Sequence, residues 1–118
     1  MIKLYKVIDY IESNLFLDIS LNEIAKELNY SKYYLSREFN TKIGMSIPDY
    51  IITRRFTEAI LHIKSTDDSI SDTAFKCGFN SSSYFIKKFK SKFGITPKVY
   101  LKKNVYLNLL RRVQGSVK

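Results

Sequence analysis

Arg37 and Lys87 each stand among short polar side chains at helical spacing, in a chain of 118 residues. Laid as a helix, Ser82 to Phe93 puts Phe85, Phe89 and Phe93 on one face at i, i+4 and i+8. Ser83, Ile86, Lys87 and Lys90 fall on the opposite face, and the segment holds no acidic residue. The segment ahead of Gly44 repeats the design, with Leu35, Phe39 and Ile43 inward and Tyr33, Ser36, Arg37 and Asn40 outward. An arginine guanidinium can give two parallel hydrogen bonds to guanine O6 and N7, which a wrong base does not reproduce. Tyr33 and Ser36 add hydrogen bonds or van der Waals contact at base edges. Ile86 has neither donor nor acceptor, so it either meets a thymine methyl or packs against the residues before it. Two such faces in one small basic chain imply a grip on a double helix at two places.

Charge agrees with an anionic partner. Residues 1–60 hold eight basic and eight acidic side chains, whereas residues 61–118 hold twelve basic and three acidic, so the second half carries the whole net charge of +9. That asymmetry points to nucleic acid or an anionic membrane surface. No apolar run approaches the roughly 18 residues of a membrane span, and the start MIKLYKVIDY lacks the pattern of an export signal. A cytoplasmic location is expected. The one cysteine, Cys77, excludes an intrachain disulfide and fits a reducing compartment.

The faces need a scaffold, and the chain supplies it in two copies. Leu4, Val7, Ile8, Ile11 and Leu15 predict a first helix from about Lys3 to Phe16. Ser20 caps a short second helix, with Glu23 at the capping-box position and Leu21, Ile24, Ala25 and Leu28 inside. Asn29 tolerates the left-handed turn that follows, and Ser31 caps the third helix. Ser46 and Pro48 open a long fourth helix with a stripe of Ile52, Phe56, Ala59, Ile60 and Ile63, and with Leu61 well round from it. The programme then restarts: Ser69 as cap, Asp72 at the acidic position, Ile70, Ala74 and Cys77 inside, and Gly78 in the place of Asn29. Phe39 matches Phe89, Gly44 matches Gly94, Ser46 matches Thr96 and Tyr50 matches Tyr100. After Pro97 a last helix is expected through Leu101 and Val105 towards Leu110. The fold class is therefore all-α: two helix-turn-helix lobes, 1–46 and 65–112, joined by a linker helix at 47–64, with a tail at 113–118.

The stretches LNEIAKELNYSKYYLSREFNTKIGMSIPDYI and ISDTAFKCGFNSSSYFIKKFKSKFGITPKVYL together resemble the DNA-binding domain of AraC/XylS-family bacterial transcription regulators. The second, with its GF, YF, F-K-x-x-F-G and TP elements, is the more specific. In layout the chain is similar to the short single-domain members. The resemblance implies about seven helices and monomeric binding to an asymmetric site in double-stranded DNA, with two recognition helices in successive major grooves. It adds Lys32 and Ser82 to the groove-facing set and makes RNA polymerase an expected further partner. Base contacts are expected from Tyr33, Ser36, Arg37, Asn40, Ser82, Ser83, Ile86 and Lys87. Phosphate contacts are expected from Lys32, Arg54, Arg55, Lys88, Lys90, Lys92 and Lys98, together with the amide ends of the recognition helices. The sequence departs from the family at Thr73, where a buried aliphatic residue is usual, so looser packing of the second lobe is expected. Ile47 stands where a proline often follows the cap, and Ile86 where a hydrogen-bonding residue is common.

No metal-ligand spacing, glycine-rich phosphate loop or nucleophile elbow appears, so neither enzyme chemistry nor a cofactor or metal is expected. His62 reads as a surface residue and Cys77 as a small buried one. A protein that sequesters a regulator or docks on RNA polymerase without reading DNA is the competing class, and the basic faces argue against it as the sole role. Membrane-surface binding through the cationic C-terminal helix is the third, and the phenylalanine stripe is better explained by core burial. No effector pocket is legible; control is expected through abundance or through a sensing domain beyond the C-terminus.

Overall fold

The computed structural model describes residues 2–103. Six helices precede a seventh: α1 (Leu4–Ser13), α2 (Leu21–Glu27), α3 (Lys32–Ile43), α4 (Ile47–Ser65), α5 (Ile70–Lys76) and α6 (Ser82–Phe93), then α7 from 97 to 103. No strand occurs among the described residues. The expected end of the last helix and the tail lie outside them.

Local chemistry sets where each helix starts. The hydroxyls of Ser20, Ser31, Ser46, Ser69 and Ser81 accept the N–H of Glu23, Tyr34, Asp49, Asp72 and Tyr84 at 3.2, 3.1, 3.2, 3.0 and 2.9 Å. Thr96 does the same for Val99 at 3.3 Å. Each bond satisfies one amide that a helix N-terminus leaves unpaired. Helix α1 is shorter than its apolar spacing suggests because Asn14 at its C-cap turns its side chain back to the carbonyl of Tyr10 at 2.8 Å. Phe16 then lies beyond the helix and is exposed.

The two copies superpose in chemistry as well as in order. The N–H of Tyr30 donates to Ala25 O and that of Phe79 to Ala74 O, both at 2.9 Å, closing the turn inside each helix-turn-helix. Phe39 meets Tyr50 edge-on at 5.5 Å, and Phe89 meets Tyr100 the same way at 5.7 Å. The turns differ in one respect. Asn29 and Gly78 both have positive φ, 62° and 88°, but at Gly78 the space is tight: a Cβ would stand 3.1 Å from Arg55 Nε and from the carbonyl oxygen of Phe16. Asparagine could meet the φ requirement, not the steric one. Gly78→Ala should therefore cost more than Gly78→Asn, because alanine adds the roughly 1–2 kcal/mol of a left-handed non-glycine residue to the steric strain both share, whereas Asn29→Gly should be nearly neutral. Urea denaturation of the three variants checks this.

Two separate apolar cores form. The first gathers Val7, Ile11 and Leu15 with Ile24, Ala25, Leu35 and Phe39. The second is aromatic, with Phe56, Phe79, Phe85 and Phe89 around Ala59, Ala74 and Cys77. Helix α4 serves both: Ile47 and Ile51 enter the first core, and Phe56 and Ala59 the second, flanked by Ile52 and Ile60. The main stripe expected from sequence is therefore joined by a second, of Ile47 and Ile51, which the sequence did not single out. Leu61 packs into neither core and is 55% exposed. Phe93 is also less buried than its stripe suggests, at 42% exposed, because it is an outer ring laid against Phe56 and Phe89 at 5.7 and 4.6 Å.

Thr73 is fully buried in the second lobe, and its Oγ1 has no hydrogen-bond partner. A buried hydroxyl left unpaired costs about 1–3 kcal/mol. Thr73→Val keeps the shape and removes the unpaired group, so it should raise stability by about 1 kcal/mol and the melting temperature by roughly 4–8 °C in a calorimetric scan.

Candidate nucleic-acid interface

Helices α3 and α6 are held from one side only. Leu35 and Phe39 anchor α3, and Phe85 and Phe89 anchor α6, all fully buried. Seating these rings fixes which way the remaining positions face. On α3, Lys32, Tyr33, Arg37 and Asn40 are exposed and Ser36 is half-buried. Tyr33 is 75% exposed, more than any other of the large hydrophobic side chains among the described residues. On α6, Ser83, Ile86, Lys87 and Lys90 are exposed and Ser82 is half-buried. Ile86 thus lies on the surface and not in the second core.

The exposed side chains of α3 are braced. The Lys32 ammonium stands 5.2 Å from the Tyr33 ring centre, and the Arg37 guanidinium 5.8 Å from that of Tyr34. Contact with an aromatic face narrows the range of an otherwise free cation. Lys32, Tyr33 and Ser36 also share an open groove with Ser20, Leu21 and Asn22 at the start of α2. Asn22 was not singled out by sequence, since nothing but the crossing of α2 over α3 brings it there. A different groove, beside the turn and the start of α6, is lined by Asn80, Ser81 and Tyr84 together with Ile52, Arg55, Gly78 and Phe79. Asn80 and Tyr84, both exposed, were likewise not anticipated.

Among the expected phosphate contacts, Lys32, Lys90, Lys92 and Lys98 are exposed and Lys88 is half-buried. Arg54 and Arg55 are otherwise engaged. Arg54 Nη2 pairs with Glu12 Oε1 at 2.7 Å and with Glu58 Oε1 at 3.0 Å, while its Nε donates to Glu12 at 3.1 Å. Its hydrogen bonds to the Glu12 carboxylate raise its pKa above the ordinary arginine value. Arg55 is directed at backbone carbonyls: Nε donates to Leu15 O at 2.7 Å, Nη2 to Leu17 O at 2.6 Å and Nη1 to Gly78 O at 3.4 Å. Both arginines thus spend several of their five donors within the molecule.

His62 also departs from expectation. Its Nε2 lies 2.6 Å from Asp68 Oδ2, the same oxygen that Lys76 Nζ meets at 2.6 Å. Lys76 and His62 together hold the Asp68 carboxyl below its usual pKa. The trio ties the end of α4 to α5, a structural task. Cys77 is buried, and burial pushes its thiol pKa up, the opposite of what a reactive thiol needs. No cluster of residues suited to a metal ion occurs among the described residues, and none of their helices is long and apolar enough to cross a membrane.

A helix-turn-helix domain family matches residues 24–103. The chain is 37% identical over 95 residues to the HTH-type transcriptional activator AarP of Providencia stuartii, covering 80% of this chain and 70% of that protein. It is 35% identical over 98 residues to an HTH-type transcriptional regulator of Staphylococcus aureus, covering 83% of this chain but 13% of that much longer protein. Among solved structures it is similar to a transcriptional regulator with an AraC-type DNA-binding domain from Chromobacterium violaceum, with a TM-score of 0.75 and 28% identity over 81% of this chain and 86% of that one. Two helix-turn-helix units around one shared helix, and a family match that runs through both, lead to one conclusion: the chain belongs to the AraC-type helix-turn-helix family of DNA-binding transcription regulators.

Proposed function

We propose that this protein reads one asymmetric stretch of duplex DNA as a monomer, laying α3 and α6 into successive major grooves. The observation that carries the reading is the pair of matched exposed faces: Lys32, Tyr33, Ser36, Arg37 and Asn40 on α3, and Ser82, Ser83, Ile86, Lys87 and Lys90 on α6. Two different readers in one chain remove the need for a palindrome. The 19 residues of α4 span roughly 28 Å, comparable with the 34 Å or so between successive major-groove faces, and modest bending of the DNA closes the remainder. Arg37 addresses guanine, Tyr33, Ser36, Asn40, Ser82 and Ser83 address base edges, and Ile86 addresses a thymine methyl. Lys87 takes a guanine or a phosphate.

Lys32, Lys88, Lys90, Lys92 and Lys98 supply phosphate contacts. Neutralising five phosphates gives a slope of log affinity against log salt of about −4 to −5. Lys92→Ala should weaken all sequences alike and flatten that slope by about one. The lobes act as separate readers on a shared linker. Polymerase contact and activation of transcription are the finer expectations, supported by the likeness to AarP, which is named an activator; a DNA partner places the protein in the bacterial cytoplasm at the nucleoid.

The test is selection of bound sequences from a random duplex pool, followed by a salt titration on the winner. A two-part motif with the slope above is the expected result. Recovery of no motif would sink the sequence-reading function and favour a protein that sequesters a regulator.

A further inference from the structure

Arg55 stands where the lobes meet. Its guanidinium reaches the carbonyls of Leu15 and Leu17, in the segment between α1 and α2, and that of Gly78, in the turn between α5 and α6. One planar fork therefore joins a loop of the first lobe to the recognition turn of the second. The Phe16 carbonyl lies between the two first-lobe acceptors in sequence, and a Cβ at Gly78 would stand only 3.1 Å from it. Elsewhere the lobes are connected chiefly through α4: the extensive helix packing lies within each lobe or onto α4, with α3 and α5 as its partners. A single helix joining two cores resists stretching well but bending and twisting poorly. Something must set the angle. Arginine suits the task because its five donors are held in a rigid plane, whereas an ammonium on a flexible stem fixes no orientation. Half-burial pulls the Arg55 pKa down, and the three carbonyls compensate its charge.

We propose that Arg55 is a positioning residue that locks the angle between α3 and α6, and so sets the spacing between the two half-sites the protein accepts. The proposal rests on the two-groove reading above. One base pair added between half-sites rotates the second groove by about 35° and shifts it by about 3.4 Å. A locked reader must reject that change; a hinged one follows it.

The experiment compares wild type, Arg55→Met and Arg55→Lys on the selected site and on versions with one base pair inserted or removed between its halves. Wild type should lose about tenfold or more on either altered spacing, in the range of a lost base contact. Both variants should bind the native spacing several-fold more weakly and lose most of that spacing penalty, with Arg55→Lys failing to rescue despite its charge. A general loss of folding would weaken every probe by one factor. That outcome, with the wild-type spacing profile retained, overturns the proposal. Wild type indifferent to spacing would overturn the two-groove reading itself, a separate result. Spin labels at Lys42→Cys and Ser91→Cys, with buried Cys77 left in place, give a second readout. The inter-label distance distribution should be narrow with Arg55 and broadened in Arg55→Lys; an unchanged distribution would also overturn the lock.

Discussion

Phe56→Ala should cost about 3–5 kcal/mol, the range for truncating a fully buried phenylalanine, and should open the second lobe while leaving the first folded. The ring is fully buried. It stacks on Phe79 with centroids 5.0 Å apart and meets Phe85, Phe89 and Phe93 edge-on at 5.4, 5.4 and 5.7 Å. Four aromatic neighbours share one centre, so alanine leaves a cavity that the ring in the α5–α6 turn and the three rings on α6 cannot all collapse to fill. A domain of this size carries roughly 5–15 kcal/mol in all, and the loss falls entirely on one of two cores. The first core takes Ile47 and Ile51 from the same helix, one and more turns earlier, and does not touch Phe56 as a member. Hydrogen exchange should show α5 and α6 amides losing protection while Val7, Ile11 and Leu35 keep theirs. Uniform loss across both lobes would mean the cores fold as one unit.

Arg37→Ala should cost about 1–3 kcal/mol of binding, roughly 5- to 150-fold, and relax preference at one position of the site. The guanidinium is exposed, free of any carboxylate partner among the described residues, and rests near the Tyr34 ring. On the proposed reading it would reach the groove already directed, with its paired donors unspent. Arg37→Lys should recover charge but not selectivity, since an ammonium gives no parallel pair. Competition binding against each single-base variant of the selected site reads both effects. An Arg37→Ala protein with unchanged preference would remove Arg37 from the reading face.

How far the sequence foretold the molecule depends on whether a residue's role is local. Serine caps, the positive-φ turn at Asn29 and Gly78, and the inward phenylalanines at i, i+4 spacing are decided within a few residues, and each was legible. So was the repeat, because Ser46 and Thr96, or Tyr50 and Tyr100, occupy the same register in each copy. The intramolecular partners of Arg54 and Arg55 were not legible, because a cation in a basic chain reads as a phosphate contact until its partners are known. Glu12 is 42 residues from Arg54, and the Leu15 and Leu17 carbonyls, 40 and 38 residues from Arg55, are backbone atoms with no side-chain signature. His62 was misjudged for a related reason: Asp68 is only six residues away, but the chain must leave α4 and turn before the pair forms. Ile47 and Ile51 were missed because a helix serving two cores has two stripes, and the stronger one hides the other. The exposed faces of α3 and α6 were legible by exclusion, as what remained once the core stripe was removed.

The most direct measurement of the central claim is dimethyl sulfate protection across the selected site, which probes guanine N7 in the major groove and adenine N3 in the minor groove. Two clusters of major-groove protection should appear on one face, about 10–10.5 base pairs apart. Arg37→Ala should abolish protection in one cluster and Lys87→Ala should weaken the other, each leaving its neighbour intact. A single protected cluster, protection confined to the minor groove, or both variants acting on the same guanines would contradict a protein that reads DNA with two helices.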